Sequence, residues 1–180
     1  MNSSILIKKK DKFFVEDVCI DSIIEKFATP TYIYSKQRIV DNFKNLESAF
    51  KNVDHMICFA VKANSNIAIL NLLAKNGAGF DIVSGGELRR VIAADGDPKK
   101  IVFSGVGKTS EEIKLAIENN ILAFNIESED ELIRIQEIAK SLNKKASISI
   151  RVNPDVNANT HPYISTGLKE NKFGVSEESA

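Results

Sequence analysis

Three apolar runs of this 180-residue sequence each carry one charged residue. Lys62 follows "MICFAV" (56–61), Asp81 interrupts "FDIVS" (80–84), and Arg151 stands near the end of "SISIRV" (147–152). A charge among residues that a fold would bury is costly unless it is paired or bound to a ligand. Taken singly, the three begin a loop, cap a turn and cover a rim. Taken together, they describe a polar cluster at the mouth of a sheet, where parallel α/β folds bind ligands at the C-terminal ends of their strands. An amine placed there suits covalent catalysis. Desolvation and nearby positive charge leave it neutral and free to attack a carbonyl, forming a Schiff base.

Other residues are candidates on weaker grounds. His161, in "THPY", is either an acid or base in a long loop or a histidine that orders the turn before Pro162. "SGGE" (84–87) carries glycines that either permit a left-handed bend or let backbone approach a cofactor. "SGVGKTS" (104–110) resembles a phosphate-binding loop, but that pattern needs a glycine where Val102 stands, so nucleotide binding is not expected. No spacing of Cys and His suggests a metal site.

The elements that must position these residues are legible as a repeat. "MICFAV", "FDIVS", "IVFSG" (101–105), "LAFNI" (122–126) and "SISIRV" begin about every 21 to 25 residues, the length of a strand, a crossover helix and two loops. Continuous apolar strands separated by amphipathic helices predict a parallel sheet, either the wall of a closed barrel or an open doubly wound sheet. Capping boxes are expected at Ser22 to Glu25 and Ser128 to Glu131, the latter opening a helix to about Ser141, and Ser110 is expected to cap "EEIKLAI". Residues 1–35 read as a lead-in: a hairpin across "KKKDK" (8–12), a short helix "DSIIEKF" and a strand "PTYIYS" running into residue 35. A helix over "KQRIVDNFKNLESAF" then opens the second part, 36–180. Residues 153–172 show no period, a length of loop usually reserved for function.

With 24 basic and 24 acidic residues the net charge is zero, which gives no field to attract nucleic acid or an anionic membrane. A small-molecule ligand is expected. Two cysteines make no disulfide framework, and no run approaches a membrane span or a signal peptide, so a cytoplasmic protein is expected.

In order along the chain, "FAVKANSN", "GFDIVSGGEL", "IVFSGVGKTSEEI", "ISIRVNP" and "THPYISTGLKENKFG" resemble the barrel half of the diaminopimelate decarboxylase family, pyridoxal-phosphate enzymes of the alanine racemase fold. The resemblance covers about Thr29 to Val175, and "THPYISTG" is its most specific stretch. It implies a partial (β/α)8 TIM-like barrel of about five βα units, an N-terminal piece whose relatives continue into a C-terminal β-domain. It also implies that Lys62 carries pyridoxal 5'-phosphate as a Schiff base and that Asp81 and Arg151 lie near the cofactor ring. Glu87 matches an acidic pocket residue of the related ornithine decarboxylases, Ile164 matches a position that faces the substrate, and His161, in the same loop as Ile164, is placed near the substrate with them. The implied reaction is decarboxylation of meso-2,6-diaminopimelate to L-lysine by a homodimer. Decarboxylases of ornithine, arginine or carboxynorspermidine, or a non-enzymatic pyridoxal-phosphate-binding module, are the alternative readings.

Overall fold

A computed structural model describes residues 5–153, 156, 174–176 and 180. The chain divides into two compact units, Met1–His55 and Met56–Ala180. In the first, β1 (Leu6–Lys9), β2 (Lys12–Val15) and β3 (Val18–Cys19) form an antiparallel meander, with the expected turn at Lys10 and Asp11. Two helices follow, α1 (Ile20–Phe27) and α2 (Lys36–Ala49). Ser35 caps α2 by accepting a hydrogen bond from Arg38 N–H, and Glu16 Oε1 accepts from Ser35 Oγ at 2.7 Å and Gln37 N–H at 2.8 Å. These bonds hold the Glu16 carboxyl below its usual range.

Two local expectations are corrected here. Residues 31–35 form no strand: among the described residues they pair with nothing in a sheet, and Tyr32 and Tyr34 are exposed. Aromatic and β-branched residues favour a strand only where a neighbouring strand receives them. The first helix begins at Ile20, not after Ser22, because the Ser22 hydroxyl donates back to Cys19 O at 2.7 Å and does not cap.

The second unit carries the repeat. Its strands are β4 (Cys58–Ala60), β5 (Gly79–Ile82), β6 (Ile101–Phe103), β7 (Ala123–Ile126) and β8 (Ile148–Ile150). They pair in parallel in sequence order. The crossover helices are α3 (Ile67–Lys75), α4 (Gly85–Ala93), α5 (Ser110–Glu118) and α6 (Glu129–Ser141), and each packs on the next. A doubly wound sheet would reverse its strand order and send helices to both faces. Here the order never reverses and the helices stay on one face, which is the wall of a (β/α)8 barrel.

Alternation along the strands sets the two faces apart. Phe80, Ile82, Ile101, Phe103, Phe124 and Ile126 are buried with Leu70, Leu88, Val91, Ile113 and Ile135 of the helices. The rings of Phe103 and Phe124 stack at 6.0 Å. Each such side chain contributes about 1.5–3 kcal/mol by burial. The opposite face carries Ala60, Asp81, Val102 and Ala123 in one register row, with Asn125 and Ser149 paired further along. Small and polar residues there leave room above the strand ends. Beyond β8, β9 (Val152–Asn153) pairs in parallel with β10 (Val175–Ser176). Among the described residues no helix is long and apolar enough to cross a membrane.

Candidate functional site

Lys62 lies where the sequence places it, just past β4, in a single 3₁₀ turn (Val61–Ala63). Val61 is fully buried and anchors this turn, while Lys62 is exposed. The residues after it are structural. Asn64 Oδ1 accepts from Asn66 N–H at 3.0 Å, and Asn66 Oδ1 caps α3 by accepting from Ala68 N–H at 2.9 Å. From α4, Arg90 donates to Ser65 O at 3.4 Å. The turn is therefore held from both sides, and no hydrogen bond or ion pair engages the Lys62 amine among the described residues.

Asp81 stands on β5 beside Ala60, two residues before Lys62, and the Lys62 turn packs against that strand. Its Oδ1 accepts from Ser104 Oγ at 2.5 Å, and Ser104 Oγ in turn accepts from Asn125 Nδ2 at 2.9 Å. The half-buried Cys58 thiol titrates above its usual range, chiefly through burial and secondarily through the charge of Asp81.

Arg151 follows β8 and reaches buried Glu127, with Nη1 at 3.3 Å from Oε2 and 3.4 Å from Oε1. Glu127 Oε1 also accepts from Gly105 N–H at 3.0 Å. On the other side of Arg151, Val175 N–H donates to its carbonyl at 2.9 Å. Gly174 has φ of 79°, and a Cβ there would stand 2.7 Å from Arg151 O, so only glycine suits that return beside the site. Ser104, Asn125, Glu127, Ser149 and Arg151 line one cavity of about 330 Å³.

The phosphate-loop lookalike has a different use. Lys108 is buried, and its ammonium donates to Gly105 O at 2.8 Å, Asn125 O at 2.9 Å and Glu131 Oε1 at 2.6 Å. All three protons are directed at the protein itself. Glu131 Oε2 accepts from Glu127 N–H at 2.8 Å. The expected capping box at Ser128 is therefore half formed: Ser128 accepts from Glu131 N–H, but the carboxylate turns to Lys108 and Glu127. At α5 the cap is Thr109, not Ser110, with a full capping box to Glu112.

In "SGGE" the bend is not left-handed at Gly85. A Cβ at Gly85 would stand 2.8 Å from Glu112 Cγ, and Glu112 Oε1 accepts from Gly85 N–H at 2.7 Å, so close packing explains this glycine. Burial opposes ionisation of Glu112, but bonds from Gly85 N–H and from the Thr109 N–H and hydroxyl outweigh it and hold the carboxyl below its usual range. Glu87 Oε2 accepts from Val83 N–H at 2.7 Å, which turns this acid toward its own helix start. His161 and Ile164 lie outside the described residues.

The structure thus joins Asp81 on β5 to Ser104, just past β6, and to Asn125 on β7, sets Lys62 at the adjacent strand end, and ties Arg151 to Glu127 in the cavity that Ser104 and Asn125 also line. Ser104, Lys108, Asn125, Glu127 and Glu131 were not expected at the site from sequence. Their signal is alternation: Ser104, Asn125 and Ser149 each follow an apolar residue whose side chain is on the other face. An unpaired amine beside hydrogen-bonding side chains fits a carbonyl-bearing cofactor, whereas Lys108, with its donors occupied, does not.

Comparison with known proteins agrees with this chemistry. Residues 36–180 match the family model described as pyridoxal-dependent decarboxylase, pyridoxal binding domain. A diaminopimelate decarboxylase from Pseudomonas aeruginosa is 55% identical over 169 residues, 94% of this chain and 41% of that protein. One from Haemophilus influenzae is 56% identical over 172 residues, 96% and 41% of the two chains. The solved diaminopimelate decarboxylase of M. jannaschii in complex with L-lysine superposes with a TM-score of 0.89 at 46% identity, over 97% of this chain and 42% of that one. The chain thus spans about two fifths of the length of these relatives, and it belongs to the pyridoxal-dependent decarboxylase family, whose pyridoxal-binding domain it matches from residue 36 to residue 180.

Proposed function

We propose that this chain is the cofactor-bearing part of a diaminopimelate decarboxylase, which converts meso-2,6-diaminopimelate to L-lysine, and that Lys62 is the attachment residue for pyridoxal 5'-phosphate. The observation that carries the reading is the Lys62 amine, exposed at a strand end with no described partner and beside the strand of Asp81. The identity of 55–56% to diaminopimelate decarboxylases selects the substrate class. Bound there, the cofactor supplies the electron sink that takes up the pair left when carbon dioxide departs.

The chain's own residues bind and orient. Lys62 would hold the cofactor through Nζ, an amine that can condense with its aldehyde group with loss of water. Asp81, held by Ser104, and Arg151, fixed by Glu127, are assigned to the cofactor ring, with Arg151 supplying a cation at the cavity it lines. Glu87, His161 and Ile164 are assigned to the substrate side. The division into a lead-in (1–35) and a cofactor-binding part (36–180), a homodimeric assembly and a cytoplasmic location belong to the same reading.

The test uses the full-length protein with added pyridoxal 5'-phosphate. A visible absorbance band and release of L-lysine from meso-diaminopimelate are expected, both lost in Lys62→Ala. A band that survives in that variant removes Lys62 from its role. Preference for ornithine, arginine or carboxynorspermidine in a substrate panel defeats the substrate assignment.

A further inference from the structure

Asp81 on β5, Ser104 just past β6 and Asn125 on β7 form a hydrogen-bonded line. The hydrogen bonds in it have a direction. An amide nitrogen only donates and an ionised carboxylate only accepts, so Asn125 Nδ2 occupies a lone pair of the Ser104 hydroxyl and the hydroxyl proton points at Asp81 Oδ1. The Ser104 backbone is held beside β5, its N–H donating to Ile82 O at 2.8 Å. Asn125 is held in register between Ser149 on β8 and the Lys108 ammonium, which its carbonyl receives.

We infer that Ser104 and Asn125 are positioning residues of the cofactor site: Asn125 orients the Ser104 hydroxyl, and that hydroxyl fixes the Asp81 carboxylate beside the strand end that bears Lys62. The inference rests on the reading of Lys62 as the cofactor's attachment residue. It gives Ser104 and Asn125, which line the same cavity as Arg151, a part in holding pyridoxal 5'-phosphate. A chain of hydrogen bonds acts as a unit, so its members are coupled in a way that separate packing contacts are not.

The experiment is titration of the apo form of the full-length protein with pyridoxal 5'-phosphate, following the Lys62-dependent band. Loss of one hydrogen bond to a charged group corresponds to a dissociation constant raised about tenfold in Ser104→Ala, with Ser104→Thr within about twofold of wild type. Asn125→Ala leaves the hydroxyl but frees its rotation, for an increase of about threefold. The double variant should match Ser104→Ala alone, and Ser104→Ala should have no effect in an Asp81→Ala background.

A Ser104→Ala constant within twofold of wild type overturns the relay. So does a double variant equal to the product of the two single effects, or a Ser104→Ala effect that persists without Asp81. Should Ser104→Ala fail to fold, Asn125→Ala measured with and without Asp81 makes the same test: weakening only when Asp81 is present supports the relay, and equal weakening overturns it. A wild-type protein without a Lys62-dependent band overturns the cofactor reading together with the relay, whereas a normal band with uncoupled variants overturns the relay alone.

Discussion

Replacing Lys108 with methionine keeps most of the buried stem and removes its charge, leaving Glu131 facing a space that water barely reaches. The two side chains are 0% and 8% exposed and their charged atoms are 2.6 Å apart. Stranding one member of such a pair costs about 3–5 kcal/mol. Glu131 keeps the Glu127 N–H as a donor, which favours the lower end, while Gly105 O and Asn125 O each lose the bond from the ammonium. The expected loss is therefore about 3–4 kcal/mol. Adding Glu131→Gln removes the stranded charge and still offers an oxygen to Glu127 N–H, so the double variant should recover to a deficit of about 1–2 kcal/mol. Urea unfolding of the full-length protein followed by far-UV circular dichroism measures both, with an unchanged m-value as the check that the same transition is compared. A Lys108→Met protein within 1 kcal/mol of wild type, or a double variant less stable than the single, would refute this account of the loop.

The acid that closes the start of α4 should show in the pH dependence of stability. Because the folded-state Glu112 carboxyl lies below its ordinary value of 4.5, its contribution is complete above that pH and is lost as the pH falls through the lowered value. Glu112→Gln should flatten that acid limb and cost roughly 1 kcal/mol at neutral pH, discounted for partial exposure. Gly85→Ala pushes a methyl toward Glu112 Cγ and should destabilise by about 1–2 kcal/mol without backbone strain, read as a lowered melting temperature. Asn66→Ala removes the cap of α3 beside the Lys62 turn, for about 1 kcal/mol, and Asn66→Ser should restore most of it.

The barrel wall was legible in the sequence because its signal is long-range and repeated. Five apolar runs at similar spacing leave few arrangements, and only the choice between a closed and a doubly wound sheet needed the strand order. Lys62, Asp81 and Arg151 were legible for the same reason: a charge in an apolar run stands out. Ser104 and Asn125 did not stand out, since a neutral polar residue at a strand end is ordinary, and their meaning comes from a register that joins residues more than twenty apart. Lys108 could be set aside as a phosphate ligand, because Val102 stands where that pattern needs a glycine, but its true partner, Glu131, lies on the following helix and leaves no local signal. The unpaired segment at 31–35 failed on the same ground, since strand propensity cannot report whether a partner strand is there. His161 and Ile164 stay as sequence expectations.

The central claim is that Lys62 Nζ is the atom that bonds the cofactor. Full-length protein loaded with pyridoxal 5'-phosphate, reduced with borohydride, digested and mapped by mass spectrometry addresses that bond directly. The account predicts one phosphopyridoxyl group, on the peptide containing Lys62. The label on another lysine, or none in a protein that shows the visible band, would contradict it.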